Sequence, residues 1–253
     1  MSWRERNLIN NARYTGQAMR LTEHDIVFSP PPLFRCFGLV VGFLASFCYG
    51  SAVISRSEAF NAELTLDTVV KENATALFGM PTMFNAELWI LEAKKHCITT
   101  LRTGPAAGSP VPPYLMRSIK RERDFTGMLI GYGMMETSPV TFITSLDDSE
   151  ETMLTSIGRV LPHTWTKVVD PEGNTAPIGQ KGELCASGFA LQKGYWEDDE
   201  KTAEVMRYDE GGVRWMLTGD EASIDAEGYA HITGRIKDII IRDGNVGGIA
   251  RRE

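Results

Sequence analysis

Apolar and polar positions along this chain follow two different rhythms, and the change falls near residue 149. Before it, stretches with helical spacing take turns with short apolar runs. The spacing predicts helices over 4–20, 66–72, 83–95 and 111–121, with Thr65 as an N-cap candidate for the second. Pro112 and Pro113 are tolerated in the first turn of the fourth. Short strands are predicted at 26–29, 76–79, 99–103 and 128–130, the third running into a Gly/Pro/Ala loop over 104–110. This alternation is the βαβ signature of an α/β fold, a mostly parallel sheet with covering helices. After residue 149, short strands at 167–169, 182–187, 214–217 and 230–233 are separated by turns at 170–173 and 225–228. They predict a small antiparallel β subdomain, with no internal repeat.

The stretch 128–139, MLIGYGMMETSP, carries the first sign of chemistry. Tyr132 lies between Gly131 and Gly133, where backbone can approach a flat ligand and the ring is free to stack. Glu136 follows with Thr137 and Ser138, an oxygen cluster suited to a hard cation. A strand, a turn and a surface glutamate account for the same residues. In open α/β sheets, ligands gather where loops leave the carboxyl ends of the strands. The loops 104–110 and 131–139 lie side by side if their strands are neighbours.

Residues 36–54 are uncharged over 19 positions, long enough for a membrane span, and Gly38 and Gly42 have a G-x-x-x-G spacing. Gly50 and Ser51 interrupt the run and three prolines precede it, so a buried helix over 37–49 followed by a strand over 52–54 fits equally well. The expectation is no transmembrane span. Net charge is −7 without a long basic run, which argues against nucleic acid as the main partner. Cys36, Cys48, Cys97 and Cys185 form no C-x-x-C pair, so buried free thiols in a reducing compartment are the default. The polar N-terminus has no signal-peptide core, and the expected setting is intracellular, cytoplasmic or organellar.

Two further pieces are weak alone. Leu217-Thr218-Gly219-Asp220 ends a predicted strand with a carboxylate able to accept two bonds from a sugar diol, or is a plain turn. Gly234-Arg235-Ile236-Lys237-Asp238, between the apolar runs 230–233 and 239–241, offers an arginine fork to a phosphate or ribose, or is a charged hairpin turn. Read in order, however, the segments RNLINNARYTGQAM, SPPPLFRCFGLV, GMPTMFNAEL, LRTGPAAGSPVPP, YGMMETSPV, SIGRVLPHT, GQKGELCASGFALQKGYW, LTGD and GRIKDIIIR resemble the adenylate-forming acyl-CoA synthetase superfamily, most closely its medium-chain fatty-acyl-CoA ligase branch. The resemblance spans about residues 6–242.

That resemblance implies part of the large AMP-binding domain and a two-step reaction on small molecules, a carboxylic acid, ATP and coenzyme A, with Mg2+. The acid attacks the α-phosphate to give an acyl-adenylate and pyrophosphate, and the coenzyme A thiolate then displaces AMP. Position by position, Ala107, Gly108 and Ser109 look like the loop lining adenine, and Tyr132 like the aromatic that stacks on it, beside Gly133. Glu136 looks like the magnesium ligand, Asp220 the ribose acceptor and Arg235 a second nucleotide contact. Glu136 and Arg235 are the expected catalytic positions, and Lys237 the hinge. Phe34, Arg35, Phe37 and Gly38 correspond to the border of the acyl pocket. The implied division is an α/β subdomain over 1–148, a β-rich subdomain over 149–236, and the hinge with a remnant over 237–253.

Departures from the family are equally specific. Its Gly/Ser/Thr-rich phosphate loop should precede Arg6, and only 16 residues follow Lys237, too few for the family's mobile C-terminal domain and its lysine. The chain is therefore expected to be a truncated ligase, weakly active or inactive by itself. Met135 replaces the family's usual threonine at the α-phosphate, and a thioether cannot donate that hydrogen bond. Arg35 stands where this branch often has histidine. A non-catalytic nucleotide- or acyl-binding remnant and an aryl-CoA ligase of the same superfamily are the alternatives.

Overall fold

The computed structural model describes the chain apart from residues 58, 95–97, 124, 126, 237, 238, 243, 244 and 249–253. Its first sheet is parallel throughout: β1 (Ile26–Phe28) lies between β2 (Ala52–Ile54) and β3 (Ala76–Leu77). Parallel bridges Ala76–Thr103 and Gly79–Ala106 bring β4 (Gly104–Ala106) to the edge of β3. Strand β4 pairs in parallel with β5 (Met128–Gly133), Gly104 opposite Met128 and Ala106 opposite Ile130. Beyond β5 the direction reverses, with β6 (Val140–Ile143) and β7 (Arg159–Val160) antiparallel.

Helices cover both faces of these strands. They are α1 (Glu5–Ala18), a wide π-type helix (Phe37–Leu44) that continues as α2 (Ala45–Tyr49), α3 (Ala62–Lys71), α4 (Pro81–Lys94) and α5 (Pro113–Arg123). Successive strand residues therefore enter opposite cores. Phe28, Leu77 and Ile130 pack with Leu115, Ile119 and Phe125, while Val27, Phe78 and Leu129 pack with Val41, Ala45 and Met19. A strand buried on both faces needs a continuous apolar run, which is why these strands lack the polar alternation of a one-sided sheet.

A second, antiparallel sheet has the order β10-β11-β9-β8, with β12 on the other part of β11. Its strands are β8 (Thr164–Val169), β9 (Gly182–Gly188), β10 (Met206–Tyr208), β11 (Arg214–Ile224) and β12 (Ala230–Arg235). Short helices α6 (Glu150–Thr155) and α7 (Asp199–Val205) lie along the connections. Val168, Leu184, Ala222 and Ala230 share a core with Phe142 of β6, and this contact sets the two sheets against each other. A hairpin of β13 (Ile239–Arg242) and β14 (Asn245–Gly248) follows.

Several boundaries differ from the sequence reading. Helix α3 starts earlier because the Asn61 side chain caps it, accepting the Leu64 N–H at 2.9 Å. Thr65 lies inside the helix, its hydroxyl turned back to the Asn61 carbonyl. The strand expected at 99–103 forms at Gly104–Ala106 instead, within the expected loop. Strand β5 does not stop at Gly131, because β6 offers its later residues an antiparallel partner. The tetrapeptide 217–220 is in the middle of β11, where Gly219 at φ +74° forms a bulge against β9. Residues 36–54 break at Gly50, at φ +73°, into helix and β2, and among the described residues no helix is long and apolar enough to cross a membrane.

Candidate active site

The site assembles where β5 leaves the first sheet system and meets β11 and β12 of the second. Gly133 is obligatory there: a Cβ would sit 1.9 Å from the Pro139 carbonyl oxygen. A bulge between Tyr132 and Gly133 presents the Tyr132 ring toward the second sheet. The ring packs edge-on to Phe142 at 6.1 Å, and its hydroxyl donates a 2.6 Å hydrogen bond to Asp220 Oδ2. Burial, reinforced by the Asp220 charge and hydrogen bond, raises the Tyr132 pKa, so the phenol stays a donor at neutral pH.

Asp220 is 6% exposed, and Arg235 faces it directly in the β11–β12 register. Arg235 Nε donates to Asp220 Oδ1 at 3.3 Å. The bulge at Gly219 is itself held, its N–H donating to Glu183 Oε1 at 3.0 Å. Tyr132, Asp220 and Arg235, far apart in sequence, thus form one hydrogen-bonded group. A carboxylate has about four lone-pair positions, so Asp220 retains acceptor capacity for a further donor.

The predicted adenine loop is beside them. Ala107 donates its N–H to the Gly79 carbonyl at 3.2 Å, and a Cβ on Gly131 would lie 3.4 Å from the Ala107 Cβ. Gly108 takes φ +90°, and with Ser109 it is exposed at the mouth of this loop. Loops 104–110 and 131–139 therefore do lie side by side.

Glu136 occupies a tight 3-10 turn, Met135–Thr137. Its Oε1 accepts a 2.8 Å bond from the Tyr195 hydroxyl, and its carbonyl accepts from the Gln192 N–H at 2.8 Å. Burial and the Glu136 bond together push the Tyr195 phenol up to about 12. The oxygen cluster expected around Glu136 does not form. Thr137 and Ser138 are buried, and their hydroxyls donate to the carbonyls of Pro139 and Ala190. Among the described residues no group of three His, Cys, Asp or Glu side chains is placed to hold a metal unaided. Met135 is half-buried against the α1 core, and its carbonyl accepts from Trp3 Nε1 at 3.0 Å.

The four acyl-side positions are divided. Gly38 is buried, with no room for a Cβ, which would come within 2.5 Å of the Pro31 and Pro32 carbonyls. Phe37 packs edge-on to Phe78 at 5.4 Å. Phe34 and Arg35 instead face solvent, the guanidinium 6.0 Å from the Phe34 ring. Cys36, next in the chain after Arg35, is buried, and burial with the nearby Glu136 charge raises its thiol pKa. Of this segment, Cys36 is thus within electrostatic reach of Glu136. Lys237 and Cys97 lie outside the described residues. Sequence reasoning missed Tyr195: it stands in the segment GQKGELCASGFALQKGYW, but nothing local signals its bond to Glu136.

A family model described as AMP-binding enzyme matches residues 3–196. The acyl-CoA ligase sidI of Aspergillus fumigatus is 49% identical over 238 residues, covering 94% of this chain and 40% of that protein. The mitochondrial medium-chain acyl-CoA ligase ACSF2 of Danio rerio is 41% identical over 94% of this chain and 39% of its own. Among solved structures, ATP-bound MatB from Rhodopseudomonas palustris superposes with a TM-score of 0.85 at 27% identity, over 97% of this chain and 47% of that one. The chain thus spans about 40% of the length of these curated relatives. With the family model matching most of its residues, this chain belongs to the AMP-binding enzymes, the adenylate-forming family that includes the acyl-CoA ligases.

Proposed function

We propose that these residues form the nucleoside-facing part of an acyl-activating site. The parent reaction joins a fatty acid, of medium chain length, to coenzyme A. The acid's carboxylate oxygen attacks the α-phosphorus of ATP and pyrophosphate leaves. The coenzyme A sulfur then forms the thioester and AMP leaves. The observation that carries this reading is the convergence of Tyr132, Asp220 and Arg235 beside the Ala107–Ser109 loop. The Tyr132 ring and the backbone of Ala107, Gly108 and Ser109 border the adenine, and Asp220 accepts the ribose hydroxyls. Arg235 balances the Asp220 charge and reaches the nucleotide.

Glu136 fits as a single carboxylate ligand for a magnesium ion brought in with ATP. Magnesium commonly takes one or two carboxylates and completes its shell with phosphate oxygens and water, which suits a lone glutamate without a preformed cage. The ion would supply charge neutralisation at the phosphates. Phe37, Gly38, Phe34 and Arg35 border the acyl side, and Lys237 is the hinge. Medium chain length is supported by the likeness to the Danio rerio ligase. The division at about 148 and 236, and an intracellular setting, belong to the same reading.

Titration calorimetry with AMP and with a non-hydrolysable acyl-adenylate tests it. Binding of both, lost in Asp220→Ala, is the expected result. Absence of binding to either overturns the reading. Met135, which has no hydroxyl to offer a phosphate, favours a second reading in which the polypeptide binds nucleotide without turnover. Fatty-acid-dependent exchange of pyrophosphate into ATP by the purified chain would exclude that second reading.

A further inference from the structure

A cavity of about 320 Å³ opens at the start of α1, beside the 191–193 segment. Arg4, Arg6, Lys193 and Arg214 line it, together with Ser187 and Phe189. No carboxylate among the described residues is on its wall, in a chain whose net charge is −7. Among the described residues none of the four cations has an ion-pair partner; Glu5, in the same helical turn, is exposed and off the cavity wall.

The segments that carry the cations are tied together, and one guanidinium is fixed directly. Ser2 and residues 193–194 are clipped together, Ser2 N–H to the Gly194 carbonyl at 2.9 Å and Lys193 N–H to the Ser2 carbonyl at 2.7 Å. Asn7 ties the start of α1 to this strip, its Nδ2 donating to the Leu191 carbonyl at 2.7 Å while its Oδ1 accepts the Arg4 N–H at 3.1 Å. The Arg214 guanidinium donates to the carbonyls of Gln192 and Lys193 at 2.8 and 2.7 Å. Two of its five N–H groups are thereby used and its plane is fixed. Gathering four like charges around one cavity disfavours the empty state, and a multiply charged anion relieves it.

We propose that this cavity is a second binding site, separate from the nucleotide site, for a compact polyanion carrying phosphate. Side-chain alternation separates the two sites. Leu191 and Lys193 face the cavity, whereas the Gln192 side chain between them is fully buried and its backbone N–H donates to the Glu136 carbonyl. A single carboxylate neutralises only one of four cations. Phosphate groups match arginine forks two oxygens at a time and bring at least two charges in this volume. The inference does not depend on the acyl-activating reading. The source is either a free polyphosphate or a phosphorylated lipid headgroup, and the chemistry at the cavity is the same.

The test is calorimetry of the purified 253-residue protein with inorganic pyrophosphate in the presence of EDTA. One site is expected, undisplaced by excess AMP. Affinity should fall at least about tenfold in the double variant Arg6→Gln/Lys193→Gln, the loss of two charge-assisted contacts, and stay near wild type in Lys193→Arg. Both side chains are exposed, and circular dichroism with thermal melting checks that the variants fold. Absence of pyrophosphate binding, unchanged affinity in the double variant, or displacement by AMP overturns the proposal. Sedimentation with phosphoinositide vesicles, competed by pyrophosphate, assigns the headgroup; pyrophosphate binding without vesicle uptake assigns a free anion, and either result supports the site.

Discussion

Tyr132 and Asp220 are 88 residues apart in the chain, yet the phenol donates a 2.6 Å hydrogen bond to the buried carboxylate. The bond joins β5 of the first sheet system to β11 of the second, so it is both a site contact and a seam between sheets. Tyr132→Phe keeps the ring and removes only the donor. An Asp220 left one partner short should destabilise the protein by about 1 kcal/mol. Urea denaturation checks this, and AMP affinity should change less, because the stacking face survives.

Asp220→Asn separates the charge from the shape. The amide oxygen can still accept from Tyr132, but Arg235 loses its ionic partner and a diol loses its charged acceptor. AMP affinity is expected to fall about tenfold, about 1.4 kcal/mol. A 2′,3′-dideoxy analogue of AMP has no diol to offer and should bind wild type and variant alike. A variant that weakens both ligands equally would mean Asp220 does not read the ribose.

The parts of this site legible in the sequence are those whose signal is local. Tyr132 between two glycines and Glu136 four positions on mark a turn suited to a flat, charged ligand, and β4 and β5 do set loops 104–110 and 131–139 side by side. What was illegible depends on partners remote in sequence. The extension of β5 through Gly133 needs β6, and the passage of β11 through Asp220 needs a bulge at Gly219. Thr137 and Ser138 look like cation ligands until Pro139 and Ala190 supply buried carbonyls for their hydroxyls. The Tyr195–Glu136 bond spans 59 residues and has no sequence signature. Even the start of α3 turned on one side chain, Asn61, competing with the equally acceptable Thr65.

Met135 gives a gain-of-affinity test. Met135→Thr places a hydroxyl where the resemblance puts the α-phosphate, at the cost of apolar contact with the α1 core. One added hydrogen bond to a charged oxygen should tighten ATP by about fivefold, about 1 kcal/mol, with adenosine unchanged. Stability should fall by about 1 kcal/mol for the lost packing. Calorimetry with both ligands separates a phosphate effect from a general one, since equal tightening of adenosine would assign the gain elsewhere.

The last test concerns the hairpin that carries β12 and Arg235. His231 Nδ1 lies 2.8 Å from the Thr155 carbonyl and Nε2 lies 3.0 Å from Asp225 Oδ2. Both partners only accept, so both ring nitrogens must carry hydrogen and the bound form is the imidazolium. Burial alone would lower the His231 pKa, but the Asp225 carboxylate and the Thr155 carbonyl together raise it above 6.5. Burial likewise opposes ionisation of Asp225, and the bonds from His231 and the Tyr229 N–H outweigh it, leaving its pKa below 3.8. The raised histidine contributes stability that is complete below its unfolded pKa and is lost as pH rises through its folded one. The lowered aspartate contributes stability that is present above its unfolded pKa and is lost as pH falls through its folded one. The contact therefore acts fully between about 3.8 and 6.5 and fades on the alkaline side. Both groups are about one-third exposed, so solvent screening holds the effect to about 0.5 kcal/mol. Melting temperatures of wild type should decline slightly from about pH 6 to pH 8, the range in which histidine titrates, and His231→Gln should remove that slope. An unchanged slope in the variant would place the titrating group elsewhere.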